Sequence, residues 1–229
     1  MMLSKRLMAV AKMVTPGKRL VDVGTDHGYI PIYLVQNQII PYALAMDINK
    51  GPLERARENI ERNHLNSSIK VRLSDGLTAL NEQMDSVVIA GMGGDLIIRI
   101  LRTGKEKLLG ISELILSPHS EIRQVRQYLH NIGFKIIVEN MIIDEGKFYT
   151  VIKAVPGKEV YAKDIYYIYG KYLLIHKNPI LRDYLEKELI KNQKVLIHLN
   201  EVNSFYSRKR ADTMIEELQR AEEALAYYG

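Results

Sequence analysis

The stretch LVDVGTDHGYIP, Leu20 to Pro31, decides the fold. A short apolar run, Leu20 to Val23, enters the loop Gly24-Thr25-Asp26-His27-Gly28, and helical spacing from Ile30 to Gln36 follows it. Strand, glycine loop and helix in that order make a cofactor cradle: the glycines let a ligand approach the backbone, and the helix N-terminus offers free N–H donors. The loop is not the dinucleotide fingerprint, which needs glycine where Asp26 stands. Asp22, just ahead of the loop, would repel a pyrophosphate and suits the amino group of a cationic amino-acid cofactor.

Outward from that stretch, short apolar runs alternate with helical patterns. Ser4 to Val14 reads as a leading helix closed by Pro16-Gly17. Tyr42 to Asp47, Lys70 to Leu73, Ser86 to Ala90 and Glu113 to Ser117 read as strands, with the amphipathic Gly51 to His64 among the helices between them. Such alternation argues for a parallel sheet. After Gly133-Phe134 the pattern changes to a β-hairpin, Lys135 to Ile143 and Phe148 to Val155 about a turn at Asp144 to Lys147. A parallel sheet that ends in an antiparallel pair is the arrangement of Rossmann-like methyltransferases.

Pro156-Gly157 then punctuates the chain, which divides the expected domains into 1–156 and 157–229. Tyr161 to His176 has a helical pattern, and Asn178-Pro179 marks a helix start. Two stripes follow, one through Leu185, Leu189, Asn192, Leu196, Leu199, Asn203 and Tyr206, the other through Ala211, Met214, Leu218, Ala221, Leu225 and Tyr228. The polar segment Ser207 to Arg210 between them predicts an antiparallel, coiled-coil-like helical hairpin. With no Gly or Pro from Asn200 to Ala226, one continuous dimerising helix is the alternative.

Four groups of residues carry chemistry. The first is the loop, with Asp22, Gly24, Thr25 and Gly28 as cofactor contacts. Asp47, at the end of its strand with Ile48 beside it, can accept bonds from both ribose hydroxyls, and Asp75-Gly76 at the next strand end can receive an adenine. Asp-Gly is also an ordinary turn pair. Ile89 to Asp95 breaks a buried strand into Ala90-Gly91-Met92-Gly93-Gly94, where Ala90 and Gly91 are expected to border the cofactor and Met92, Gly93 and Gly94 to form an acceptor pocket, a tight turn at positive φ being the alternative. Acids at three successive strand ends point to an adenosyl cofactor with a cationic amino-acid end, S-adenosylmethionine.

Composition limits the rest. The 229 residues suffice for one α/β domain and an appendage, and the absence of cysteine excludes disulfides, thiolate zinc sites and cysteine nucleophiles. The histidines show no ligand spacing with acids, so no metal is expected. Lys5, Arg6 and Lys12 interrupt the N-terminus, which lacks a signal-peptide run, and no span of roughly 20 apolar residues exists. The expected setting is the cytoplasm. A net charge of +5, with Lys5 and Arg6 at one end and Arg208, Lys209 and Arg210 at the other, suits phosphate contacts and equally a solvated surface.

Together VDVGTDHGYIP, MDIN, SDGL, IAGMGGDLI, LILSPHSEIRQVRQYLHNIGF and ENMIIDEGKFYTV closely resemble the bacterial TrmK family, the tRNA adenine-22 N1-methyltransferases. The resemblance implies a class I methyltransferase domain with a helical extension, acting on N1 of an adenine in the D-loop region of tRNA. Asp26-His27 departs from the middle glycine of the wider superfamily and is similar to the family's own version of the loop. Asp26, His27 and Tyr29 would then face the incoming base, with Asp26 orienting its exocyclic amine, Tyr29 stacking on it, and Pro31 bordering its pocket. A monomer is expected. Methylation of another RNA or a small molecule, and a non-catalytic RNA-binding module with a vestigial cofactor site, stay open.

Overall fold

A computed structural model of the chain describes residues 3–202 and 204–229. The chain divides into two compact units, Met1–Val160 and Tyr161–Gly229. The first runs α1 (Lys5–Ala11), β1 (Arg19–Val23), α2 (Tyr29–Gln36), β2 (Tyr42–Asp47), α3 (Lys50–Arg62), β3 (Ile69–Leu73), β4 (Ser86–Met92), α4 (Gly94–Thr103), β5 (Glu113–Pro118), α5 (Ile122–Asn131), β6 (Phe134–Asp144) and β7 (Lys147–Pro156).

These strands form a seven-stranded sheet in the order β3-β2-β1-β4-β5-β7-β6. All neighbours from β3 to β5 are parallel, whereas β7 runs antiparallel to both β5 and β6. The expected hairpin is present, closed by Glu145 and Gly146 with φ of 48° and 75°. Two positive-φ residues in a two-residue turn match the right-handed twist of the flanking strands.

Strand parity places the site. Val21 and Val23 face one side with Leu44, Met46, Val87 and Ile89, packed on Ile97, Leu101, Val125 and Leu129 of α4 and α5. Leu20 faces the other with Ala43, Ala45 and Val88, packed on Val10 of α1 and Ile30, Ile32 and Leu34 of α2. Burying each large side chain contributes about 1.5–3 kcal/mol, so both faces are firmly covered. Because side chains alternate along a strand, Asp22 lies on the α1/α2 side. Between β1 and β4 the connections leave in opposite directions, and that switch point opens a crevice beyond the strand ends.

A buried polar group ties the chain after α1 to the sheet. Lys153 of β7 donates to Met13 O at 2.8 Å and Thr15 Oγ1 at 2.7 Å, and its Nζ lies 2.8 Å from Glu113 Oε2. Burial alone would raise the Glu113 pKa, yet bonds from Lys153, Thr15 and Ser86 hold it below the ordinary carboxylate value. Helix α1 is thereby fixed against the strand ends rather than loosely attached.

The second unit departs from expectation in two places. Tyr161 to His176 is not one helix: a π-helical turn, Tyr166–Gly170, leads into α6 (Lys171–Ile175), and Gly170 between them has a φ of 98° that a side chain would resist. Helices α7 (Pro179–Val202) and α8 (Phe205–Leu225) pack as a hairpin, with Tyr228 Oη donating to Asn178 O at 2.8 Å across the open end. The break comes at Ser204, before the expected SRKR segment. Ser204 Oγ accepts from Ser207 N–H and Ser207 Oγ accepts from Ser204 N–H, a reciprocal cap that starts α8 and draws Arg208 to Arg210 into the helix. Leu185 and Asn192 are buried as the first stripe requires, but Tyr206 is 82% exposed, and Asn203 lies outside the described residues. Among the described residues no helix is long and apolar enough to cross a membrane.

Candidate functional site

The loop after β1 closes on itself through its backbone. Gly24 and Thr25 N–H donate to Met46 O at 2.8 and 3.1 Å, and Gly28 N–H donates to Thr25 O at 2.8 Å. Gly24 and Gly28 have φ of 77° and 70°, so both are used for the left-handed turns only glycine takes freely. Asp26, at φ 39°, bears such a turn with a side chain. Gly28 begins α2 without a side-chain cap, leaving the helix N-terminus open to a ligand.

Asp22 sits beneath this loop, 4% exposed. It accepts a 2.7 Å bond from Thr25 Oγ1 and has no cationic partner among the described residues. Burial pushes its pKa up to about 6, with Asp47 adding to the rise and the Thr25 bond opposing it. An anion held at this cost fits a cationic ligand group. Above it lies a cavity of about 290 Å³, lined by Asp22, Gly24, Thr25, Ala90 and Gly91, and also by Asp26, His27 and Tyr29.

Those last three share contacts of their own. The His27 and Tyr29 rings stack, and Asn59 Nδ2 holds His27 O at 3.0 Å. Asp26 is not a free carboxylate: Arg55 Nη2 of α3 donates to its Oδ1, and His27 Nε2 lies 3.5 Å from its Oδ2. Arg55 carried no recognisable motif in the sequence. Pro31 is buried in the first turn of α2 and does not line the cavity, contrary to expectation, because the helix turns it toward the core.

The glycines after β4 also separate. Gly91 has a φ of 79° and faces the cavity, and the methyl of Met92 lies over Gly24, where any β-carbon would collide with it. Gly93 and Gly94 do not face the cavity. A β-carbon on Gly94 would fall 2.6 Å from Ser120 O and 2.9 Å from Glu121 Cβ, and one on Gly93 3.1 Å from Ser120 Oγ. Their small size serves the packing of α4 against the segment after β5, which corrects the acceptor-pocket reading.

Farther along the strand ends, Asp47 accepts from Asn49 N–H at 2.8 Å, Ile48 is 55% exposed, and Asp75 lies 3.9 Å from Arg99 Nη2. Their open edge can take a nucleoside, Asp47 by hydrogen bonds and Ile48 by apolar contact. Gly76, expected to leave room for a ring, instead makes space for Ile100, whose Cγ2 would lie 3.0 Å from a β-carbon there.

The basic residues divide as well. Lys5 is exposed, whereas Arg6 is half-buried and lines the cavity beside His119, which no pattern in the sequence singled out. A histidine one residue past the buried strand β5 was the available signal. Arg208, Lys209 and Arg210 are exposed on the first turns of α8, and Arg210 pairs with Glu217 at 3.0 Å.

Residues 3–152 match the family described as "Methyltransferase domain". The chain is 36% identical over 199 residues to the tRNA (adenine(22)-N(1))-methyltransferase of Bacillus subtilis (strain 168), covering 84% of each. Among solved structures it is similar to Streptococcus pneumoniae Sp1610 in complex with S-adenosyl-L-methionine, at TM-score 0.88, 34% identity and coverage of 98% of this chain and 100% of that one. It is also similar to M. capricolum TrmK in complex with S-adenosyl-homocysteine, at TM-score 0.86 and 28% identity over 99% of both chains.

Proposed function

The chain belongs to the tRNA (adenine(22)-N(1))-methyltransferase family, and on that premise we propose that it transfers the methyl group of S-adenosylmethionine to N1 of adenine 22 in tRNA. The observation that carries this reading is the union, in one cavity, of a buried uncompensated carboxylate, Asp22, with the stacked rings of His27 and Tyr29. The carboxylate fits the cofactor's ammonium. The rings offer a face to a base.

The cofactor supplies an electrophilic sulfonium methyl carbon. N1 of adenine would attack that carbon with its in-plane lone pair as the carbon–sulfur bond breaks and the neutral thioether leaves, which requires no strong base, so the chain's residues contribute alignment and electrostatics. Asp22 would hold the ammonium, and the free N–H groups at the open end of α2 would face the amino-acid moiety. Asp47 and Ile48 take the ribose and adenine edge, with Asp75 near the purine amine. N1 lies on the Watson–Crick edge, so the target adenine must leave its stack before it enters the cavity. Tyr29, backed by His27, stacks on it. Asp26, steadied by Arg55, stands at the rim where its charge offsets the cation that methylation creates. Met92 closes the floor over Gly24.

Lys5, Arg208, Lys209 and Arg210 contact tRNA phosphates in this reading, with Arg210 weakened by its bond to Glu217. The protein works as a monomer in the cytoplasm. Incubation with unmodified tRNA and methyl-labelled cofactor, followed by mass spectrometry of the nucleosides, tests the reaction. Label in N1-methyladenosine is the expected result; label in any other nucleoside, or none, overturns it.

A further inference from the structure

The helical stripe expected to bury Tyr206 leaves it in solvent. The cap at Ser204 makes Phe205 and Tyr206 the first two residues of α8, whereas the face of α8 that packs starts at Ser207 and runs through Ala211, Met214 and Leu218. At about 100° of rotation per residue, positions 205 and 206 fall off that face. Phe205 is 77% and Tyr206 82% exposed, and their rings meet edge to face with centroids 5.7 Å apart. That arrangement leaves open aromatic faces in two directions. A lone exposed apolar side chain is ordinary, but Ile197 and Val202 on the last two turns of α7 are also more than half exposed, so the end of the hairpin carries an apolar patch.

Cations border this patch. Arg208, Lys209 and Arg210 follow the rings directly, and Glu201, the one acid between Ile197 and Ala211, lies 3.8 Å from His198 Nδ1. Along α7, Lys187, Lys191 and Lys194 flank Ile190 and Val195 in a shallow groove of about 400 Å³. Their spacing of four and three residues keeps the lysines on one side of the helix, and the same spacing continues through His198 to Val202, at the end that carries the rings. A charged track leading to exposed aromatic faces is complementary to a nucleic acid strand, whose phosphates take the cations and whose bases stack on the rings. Two copies of such an end would repel each other through their like charges.

We propose that the end of the α7–α8 hairpin is a stacking platform for an unpaired nucleobase of the tRNA, with Phe205 and Tyr206 as the platform and the α7 lysines, Arg208 and Lys209 as the track for the flanking phosphates. The proposal rests on the tRNA reading above and adds a contact with a base to the phosphate contacts given there for α8.

Salt-dependent binding of labelled, unmodified tRNA to the full-length chain tests it, with S-adenosylhomocysteine affinity and Tm as controls. Replacing both rings, Phe205→Ala with Tyr206→Ala, is expected to weaken tRNA roughly 10- to 100-fold and to leave the slope of log Kd against log salt unchanged, because stacking releases no counterions. Lys209→Gln should weaken tRNA and flatten that slope by about one. The exchange Phe205→Tyr with Tyr206→Phe should keep full affinity, whereas leucine at both positions, apolar but without a π face, should lose as much as alanine. Cofactor affinity and Tm should not move in any of these variants. Full affinity in the leucine pair, or unchanged tRNA binding in the alanine pair, overturns the platform. A dimer in sedimentation that the alanine pair dissociates overturns it in favour of a second copy of the chain. If the unaltered protein binds no tRNA, the tRNA reading fails and the platform fails with it.

Discussion

The rings of His27 and Tyr29 lie 4.9 Å apart at centroids and only 7° from parallel, with Tyr29 36% exposed at the mouth of the cavity. Such a pair presents a single flat face whose backing ring prevents the outer one from swinging away. Stacking of a base on an aromatic side chain is worth about 1–3 kcal/mol. Tyr29→Ala should therefore lower kcat/KM for tRNA roughly 10- to 100-fold while leaving S-adenosylhomocysteine affinity unchanged, and Tyr29→Phe should restore most of the rate. A loss of cofactor affinity equal to the loss of rate would make Tyr29 a packing residue of the loop.

Cofactor binding should depend on pH through Asp22, whose pKa stands at about 6. The ionised form attracts an ammonium and the protonated form does not. Affinity for S-adenosylhomocysteine is expected to be level just above pH 6.5 and to fall toward tenfold per unit below pH 6, measured by calorimetry from pH 5 to 7. In Asp22→Asn the affinity should be low and the slope should vanish. A persisting slope in that variant would assign the titration to another group.

The same residue costs the empty protein stability. Sign follows from the raised value: a carboxylate whose folded pKa exceeds its unfolded one favours folding below the unfolded value, near pH 4, and that advantage is lost as pH rises through 6. Asp22→Asn should accordingly stabilise the fold at pH 7.5, by on the order of 1–3 kcal/mol, read as a higher Tm in the absence of ligand. An unchanged or lower Tm would mean that the Thr25 bond already offsets the burial.

Gly94→Ala separates packing from pocket formation. The added methyl group meets backbone and Cβ of the segment after β5, where nothing flexible can yield, so a loss of about 1–3 kcal/mol in stability is expected. Chemical denaturation measures it. Full stability combined with lost tRNA methylation would restore Gly94 to the acceptor pocket.

Much of the fold was legible because its signals are local. The apolar runs ending at Val23, Asp47 and Leu73, and the hairpin turned at Glu145-Gly146, announce themselves within a few residues. What escaped depends on partners distant in sequence. Gly93 and Gly94 looked like pocket glycines until Ser120 and Glu121 arrived against them, and Gly76 is explained only by Ile100. The cap at Ser204 was missed because it uses Ser207 in place of the expected Glu or Gln, and the helix break in the second unit depends on the unusual φ of Gly170. The loop that first suggested a cofactor was read correctly as geometry. Arg55 on Asp26, and Arg6 beside His119 in the cavity that Asp22 also lines, are pairings no spacing rule contains.

Methylation of two tRNA transcripts that differ only at position 22 tests the central claim most directly. With labelled cofactor, the transcript carrying adenine 22 should accept one methyl group, recovered as N1-methyladenosine, and the transcript carrying uridine 22 should accept none. Equal labelling of both, or label at another nucleotide, would contradict the assignment.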